Sequence, residues 1–342
     1  MRRLTLRARM GEERGAVGVM VALLLVPLLG FAAIAVDLTA VQAERTQLRN
    51  GTDAAVLAVA TDCAWNPATC GGDPGATARS LITRNAGQVG ATLGTPVVDV
   101  DPRAPVGQTV SVTATSEQKH WFAPVLGHDA STVAATSTAA WSGTSRATAK
   151  LPLAIGRCEY DKHRSRPSVT MEASNSGCTG GGQSSLRFVW LATDPGSVCR
   201  TTATVGAQIA RSAGGATSMP AACGSQGQYL LDLVGTTILL PVVDDSQGSA
   251  SSYRVYGFAA FQVSGYDLGT GKSWAQMSWF ERLIAIIEFL IRLFTGQGNG
   301  NGNEQGLVVQ GSFTTHVQLS DAPLQTSAPD LGARSVFLTE QR

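Results

Sequence analysis

Excess charge of either sign, histidine and aromatic rings are all scarce in this sequence, and each shortage excludes something. Over 342 residues, 26 Lys and Arg stand against 25 Asp and Glu, and charged residues make up only 15% of the chain. So nearly neutral a chain offers no basic face to a polyanion, and no nucleic-acid partner is expected. The four histidines, His120, His128, His163 and His316, are dispersed and form no H-E-x-x-H pair. No nucleophile elbow of the form G-x-S-x-G occurs either. No catalytic residue and no cofactor is assigned, and the chain is not expected to be an enzyme. Cysteine is missing ahead of Cys63, and no C-x-x-C occurs anywhere, which removes the zinc-finger and dithiol motifs and leaves no metal site assigned.

Long charge-free runs are equally rare, with one exception. AVGVMVALLLVPLLGFAAIAV, from Ala16 to Val36, is uninterrupted by charge. About 20 residues at a helical rise of ~1.5 Å match a hydrocarbon core of roughly 30 Å, so one crossing is predicted, with Ala16, Leu23, Pro27, Phe31 and Val36 in the anchor. Arg2, Arg3, Arg7, Arg9 and Arg14 precede it, which predicts a cytoplasmic N-terminus and an extracytoplasmic remainder. The lipid bilayer is thus the first expected partner. The competing reading is a cleavable signal peptide ending near Ala33-Ile34-Ala35. Against it, the apolar run exceeds an ordinary signal core, and the helical pattern runs on through DLTAVQAERTQLRNGTDAAVLAVA. There Val41, Leu48 and Ala55 recur every seven residues, with Leu38, Thr52 and Val59 near the same stripe. Gln42, Glu44, Arg45 and Arg49 are expected on the other faces, and Gly51 is the weak point of the helix.

The basic stub, RGAVGVMVALLLVPLLGFAAIAVD and the Ala-rich helix that follows, with Asp37, Gln47-Leu48-Arg49-Asn50 and Asp53-Ala54-Ala55, resemble the N-terminal region of TadE/TadG-like proteins of Flp (tight-adherence) pilus assembly. HWFAPVLG, VAATSTAAW, LPLAIGRC and the pair PVVDDSQG and YRVYGFAAFQVSGY look similar to actinobacterial members of the same family. The resemblance implies a membrane-anchored part of a pilus machine, with pilus or pilus-assembly proteins as partners. It also marks Asp37, Gln47, Leu48, Asn50 and Asp53 as family-motif positions. One departure is that type IV-like prepilins carry Glu five residues after the cleavage-site glycine, whereas Met20 stands there when Ala16 is counted as the first residue after Gly15.

Six cysteines, Cys63, Cys70, Cys158, Cys178, Cys199 and Cys223, all follow the apolar run, as structural disulfides in an oxidising compartment would. Local pairs 63 to 70, 158 to 178 and 199 to 223 are favoured among the roughly 15 connectivities that six cysteines allow. The predicted organisation is a basic stub (1–15), a transmembrane helix (16–36), a helix with a small sheet (37–145) and a β-rich unit (146–342). In the first unit a helix ending at Gly87 and strands at Thr95–Val100, Thr109–Ser116 and Thr132–Trp141 are expected. In the second, strands are expected at Leu186–Ala192, Thr236–Val243, Tyr253–Val263, Leu307–Leu319 and Arg334–Leu338. ILLPVVDDSQGS resembles the metal-ion-dependent adhesion motif of von Willebrand type A domains at Asp244 and Ser246, but Gly248 replaces its second serine. An acidic hairpin turn between Val243 and Tyr253 is preferred.

Within the second unit, 274–294 is expected to form a helical insert followed by a Gly/Asn linker (295–306). Glu281, Ala285, Glu288 and Arg292 make a narrow polar stripe on an otherwise apolar helix, open to three readings: a buried insert, an interfacial or partner-binding helix, or a second crossing. Trp274, Trp279 and Phe280 are the candidate contact residues if it binds. The expected fold class is α+β: a transmembrane helix continuing into a long helix, followed by β-rich, disulfide-braced extracytoplasmic structure. The function expected is structural or assembly-related, in the bacterial cell membrane; the alternative is a surface adhesin or ligand-binding protein.

Overall fold

A computed structural model describes residues 13–86, 91–101, 108–172, 188–197, 199–215, 219–224, 227–249, 251–267, 277–295, 308–320 and 328–339. The apolar run and the Ala-rich stretch after it form one helix, α1 (Glu13–Trp65), which continues through both Pro27 and Gly51. At a helical rise of ~1.5 Å per residue, its 53 residues extend for about 80 Å. The fold class is α+β, as the sequence predicts.

The two halves of α1 live in different surroundings. From Val17 to Val36 the large apolar side chains stand free of the rest of the protein, Leu23 at 70% and Phe31 at 73% exposure. From Asp37 onward one stripe is covered: Asp37, Val41, Glu44, Leu48, Thr52, Ala55 and Val59, spaced by three and four, are buried or half-buried. That spacing keeps them on a single helical face. Leu38, expected near this stripe, is exposed, because it lies a full residue off it. Glu44, expected on an outer face, is buried; it sits three residues after Val41 and four before Leu48, on the packing stripe itself. Gly51 proves to be a close-packing position: a Cβ there would lie 3.2 Å from the Ile82 Cα of the second helix, α2 (Pro74–Asn85). Asp73 caps α2 by accepting a hydrogen bond from the Ala76 N–H at 2.9 Å. Its last helical residue is Asn85, and Gly87 lies outside the described residues.

Both helices pack on a six-stranded sheet. Its spine is the hairpin β3 (Gln108–Lys119) with β4 (Ala130–Gly143), paired from Gln108↔Trp141 to Lys119↔Ala130. β1 (Ala91–Leu93) and β2 (Val97–Asp101) share the outer edge of β3. Alternation along β3 turns Val110, Val112 and Ala114 into the core with Leu48, Ala55, Val56 and Val59 of α1. The far edge is built by Ala333–Leu338 against β4, then His316–Leu319. Those last two strands were expected in the second unit. The chain crosses back instead, because Val336 completes the apolar face above α1. The single strand expected at Leu307–Leu319 accordingly splits, Val308–Thr314 joining the second sheet and His316–Leu319 the first.

The second sheet has the order Val169–Glu172, Val308–Thr314, Ser252–Asp267, Thr237–Ser249, Leu153–Gly156 and Phe188–Trp190, with Gln208–Ala210 also on Ser252–Asp267. Its core gathers Phe188, Trp190, Ile238, Leu240, Phe261 and Tyr266. Thr237–Ser249 runs past the predicted acidic turn: Asp244 to Ser249 continue the strand with an irregular register, and Ser249 pairs with Ser252 at the hairpin's end. Disulfides join Cys63 to Cys70 and Cys199 to Cys223. Cys158 is also disulfide-bonded, and Cys178 lies outside the described residues. Closing a loop of 24 residues, the Cys199–Cys223 bridge stabilises its turn-rich surroundings by roughly 3 kcal/mol in the chain-entropy model.

Candidate functional site at the exit of the long helix

The boundary between the free and the packed halves of α1 is marked by a single carboxylate. Asp37 is the residue directly after the apolar run, and it is only 4% exposed. Its Oδ1 accepts the backbone N–H of Trp121 at 2.8 Å, and its Oδ2 those of Phe122 at 3.0 Å and Ala123 at 2.7 Å. These amides open the 3-10 turn Ala123–Leu126 in the loop joining β3 to β4. Free N–H groups at the start of a helical turn carry partial positive charge, so a carboxylate is the side chain suited to them. The loop is closed by Gly127 in the left-handed region (φ 84°) and by His120, whose Nε2 shares a 2.8 Å hydrogen bond with the Ser131 hydroxyl across the hairpin.

Burial alone would raise the Asp37 pKa, but the three N–H donors, helped by the nearby His120, outweigh it and hold the carboxyl below its ordinary value. The sign of the pH dependence follows. A group whose folded pKa is depressed stabilises the fold fully above its unfolded value, near 3.9, and loses that contribution as pH falls through the folded pKa. The protection factors of amides 121–123, relative to the unstructured exchange rate at each pH, should therefore hold from neutral pH down to about 4 and fall below it. Asp37→Asn should show weaker protection at neutral pH and no such acid step. An acid step of equal size in the Asn variant would refute the assignment.

Further along the stripe, the Thr52 hydroxyl lies 2.8 Å from that of Ser137 on β4, and the Ser137 hydroxyl donates to the Asp53 carboxylate. This buried polar clasp ties α1 to the middle of the sheet. The family-motif positions thus separate by role. Asp37 and Asp53 bond to the sheet and its loop, Leu48 is fully buried, Gln47 is half-buried, and Asn50 is exposed. Gln47 Oε1 and Glu44 Oε1 are buried without a hydrogen-bond partner among the described residues. In the anchor, Leu23, Pro27, Phe31 and Val36 are exposed, and Ala16 lies within α1.

The candidate contact helix is Trp279–Thr295, a hairpin insert between Ser252–Asp267 and Val308–Thr314. Trp279 and Phe280 are 61% and 62% exposed, and Trp274 lies outside the described residues. Of its expected polar stripe, Glu281 is exposed, and the side chains of Glu288 and Arg292 lie outside those described. Ala285 is buried beside Ile286, and Glu281 caps the helix start, accepting from the Ser278 N–H at 2.8 Å while the Glu281 N–H donates to the Ser278 hydroxyl at 3.3 Å. Sequence reasoning missed the Asp37 loop bonds, although a lone carboxylate abutting a 21-residue apolar run is itself a signal that a buried partner is needed.

Among the described residues one helix is long and apolar enough to cross a membrane, and it fits a single-pass membrane anchor. Residues 15–62 match the Tad family model, the Flp pilus-assembly TadE/G-like family. No curated protein and no solved structure matches the chain. The matched segment takes in the apolar span, Asp37 and the packing stripe to Val59, and through it the chain carries the TadE/TadG-like element.

Proposed function

We propose that this protein is a membrane-anchored structural component of a Flp-type pilus or surface secretion apparatus, TadG-like in its arrangement. It spans the bilayer once, with the basic N-terminus in the cytoplasm and the bulk outside. No reaction is assigned to it, and its partners are the lipid bilayer and pilus or pilus-assembly proteins. The observation that carries this reading is the coincidence of the family match, 15–62, with a single unbroken helix that is bare in its first half and built into a sheet in its second. Such a helix is a rigid rod. It carries a displacement or a packing event in the membrane to the external sheet through Leu48, the Thr52–Ser137–Asp53 clasp and the Asp37 loop.

Intact mass and N-terminal sequencing of the mature protein, from membrane and sheared-surface fractions, tests the reading. An uncut chain confined to membranes is expected. Cleavage after Gly15 would make it a fibre subunit instead, and cleavage after Ala35 would remove the anchor and end the proposal. A surface adhesin is the second reading, favoured by the exposed Trp279 and Phe280. Deleting 274–305 separates the two: adhesion lost with intact pili supports the adhesin, and pili lost supports assembly.

A further inference from the structure

Among the described residues outside α1 and the insert helix, large exposed apolar side chains are scattered singly, with one exception. Within six residues of the β3–β4 loop, Trp121, Phe122, Val125 and Leu126 are 63%, 48%, 90% and 67% exposed. Single exposed apolar residues need no explanation, but four on one short loop do. Their position along α1 supplies it. The loop backbone is held by Asp37, one residue past the apolar run, and helical side chains lean toward the N-terminus of their helix, here toward the span. The coverage of α1 agrees: from Val17 to Val36, every residue is exposed except Ala33, one turn before Asp37 on the same face and half-buried. The loop therefore overlaps the last turn of the apolar run instead of standing clear of it.

We propose that this loop is a second membrane contact, which seats Trp121, Phe122, Val125 and Leu126 in the headgroup and acyl boundary where α1 leaves the bilayer. The proposal rests on the reading of α1 as a membrane span. Its occupant is lipid, because the apolar side chains are continuous with the lipid-facing surface of α1, whose Ile34, Val36 and Leu38 are exposed at the same level. Tryptophan favours this boundary, and phenylalanine and leucine are side chains that interfacial elements bury there. The consequence is mechanical. A helix alone leaves the external sheet free to rotate and tilt about one axis, whereas a helix and a loop fixed to it at Asp37 set the sheet's tilt and facing relative to the membrane plane.

Site-directed spin labelling of the full chain in phosphatidylcholine and phosphatidylglycerol vesicles tests this. No free cysteine occurs among the described residues, so single labels can be introduced as Val125→Cys in the loop, Val26→Cys in the span and Arg79→Cys on the exposed face of α2. The ratio of oxygen to nickel-chelate accessibility at 125 is expected to exceed that at 79 several-fold, in the same sense as at 26. A ratio at 125 equal to that at 79, with 26 still in lipid, overturns the loop contact and leaves the span standing. Aqueous values at both 26 and 125 overturn the span and the loop together. Protection at 125 found in native membranes but not in vesicles overturns lipid as the occupant in favour of a protein.

Discussion

Leu48→Asp is expected to release the external sheet from α1 while leaving the apolar half of the helix inserted. Leu48 is fully buried at the centre of the helix-on-sheet core, among Val56, Val110, Val112 and Val336. Its loss removes about 2 to 3 kcal/mol of burial and leaves a cavity that raises the cost. The new carboxylate would add a further few kcal/mol, since it would be buried in this cluster one turn from the already buried Glu44. A sum on the order of 5 kcal/mol rivals the whole stability of an ordinary domain. Denaturant unfolding of the detergent-solubilised chain, followed by tryptophan fluorescence, should lose the transition of the first sheet, and limited trypsin digestion should cut faster after Lys119 at the end of β3 and after Arg334 in the last strand. The exposed Asn50 supplies the comparison, because Asn50→Asp should shift stability by no more than about 0.5 kcal/mol. An unchanged unfolding midpoint for Leu48→Asp would mean that α1 and the sheet are not energetically coupled, and the rod mechanism would fall with it.

What the sequence made legible were features set by local chemistry. The apolar run fixes the free half of α1, the period of Leu48, Ala55 and Val59 fixes its buried face, and β-branched alternation fixes the β3–β4 hairpin. The local cysteine pairs Cys63–Cys70 and Cys199–Cys223 also form. What it hid were features set by distant partners. Glu44 reads as a surface residue because charge ordinarily faces water, yet its place between Val41 and Leu48 commits it to the stripe, and geometry wins over hydropathy there. Nothing local announces that Ala333–Leu338 returns to β4 across nearly two hundred residues, since any short β-branched strand satisfies many edges. Likewise Ala285 in the insert helix reads as part of a polar stripe with Glu281, four residues before it, yet it is buried with Ile286 and Met277 in the second core. The Asp37 loop belongs with these: the carboxylate is visible, but its donors lie more than eighty residues away.

Gly143→Val tests the return of the chain on which the first sheet depends. Gly143 ends β4 and is buried, pairing with Arg334 of the last strand. A Cβ built there would lie 2.1 Å from the Pro329 carbonyl oxygen and 2.7 Å from that of Ala328. The obstruction is backbone, which cannot swing aside as a flexible side chain does, so the segment leading into Ala333–Leu338 has to move. Its displacement would break the Thr144 N–H bond to the Ala333 carbonyl at 2.9 Å and separate the buried Thr144 and Ser335 hydroxyls, now 3.0 Å apart. Overpacking of this kind costs about 3 kcal/mol at its upper range, to which the unpaired hydroxyls add. Amide exchange should therefore accelerate first across residues 333–338 and the edge of β4, while the hairpin core at Val110 and Val112 keeps most of its protection. Protection at 333–338 equal to that of the unaltered chain would show that the C-terminal strand holds its place without the close approach at Gly143, and the closure of the sheet by that approach would be wrong.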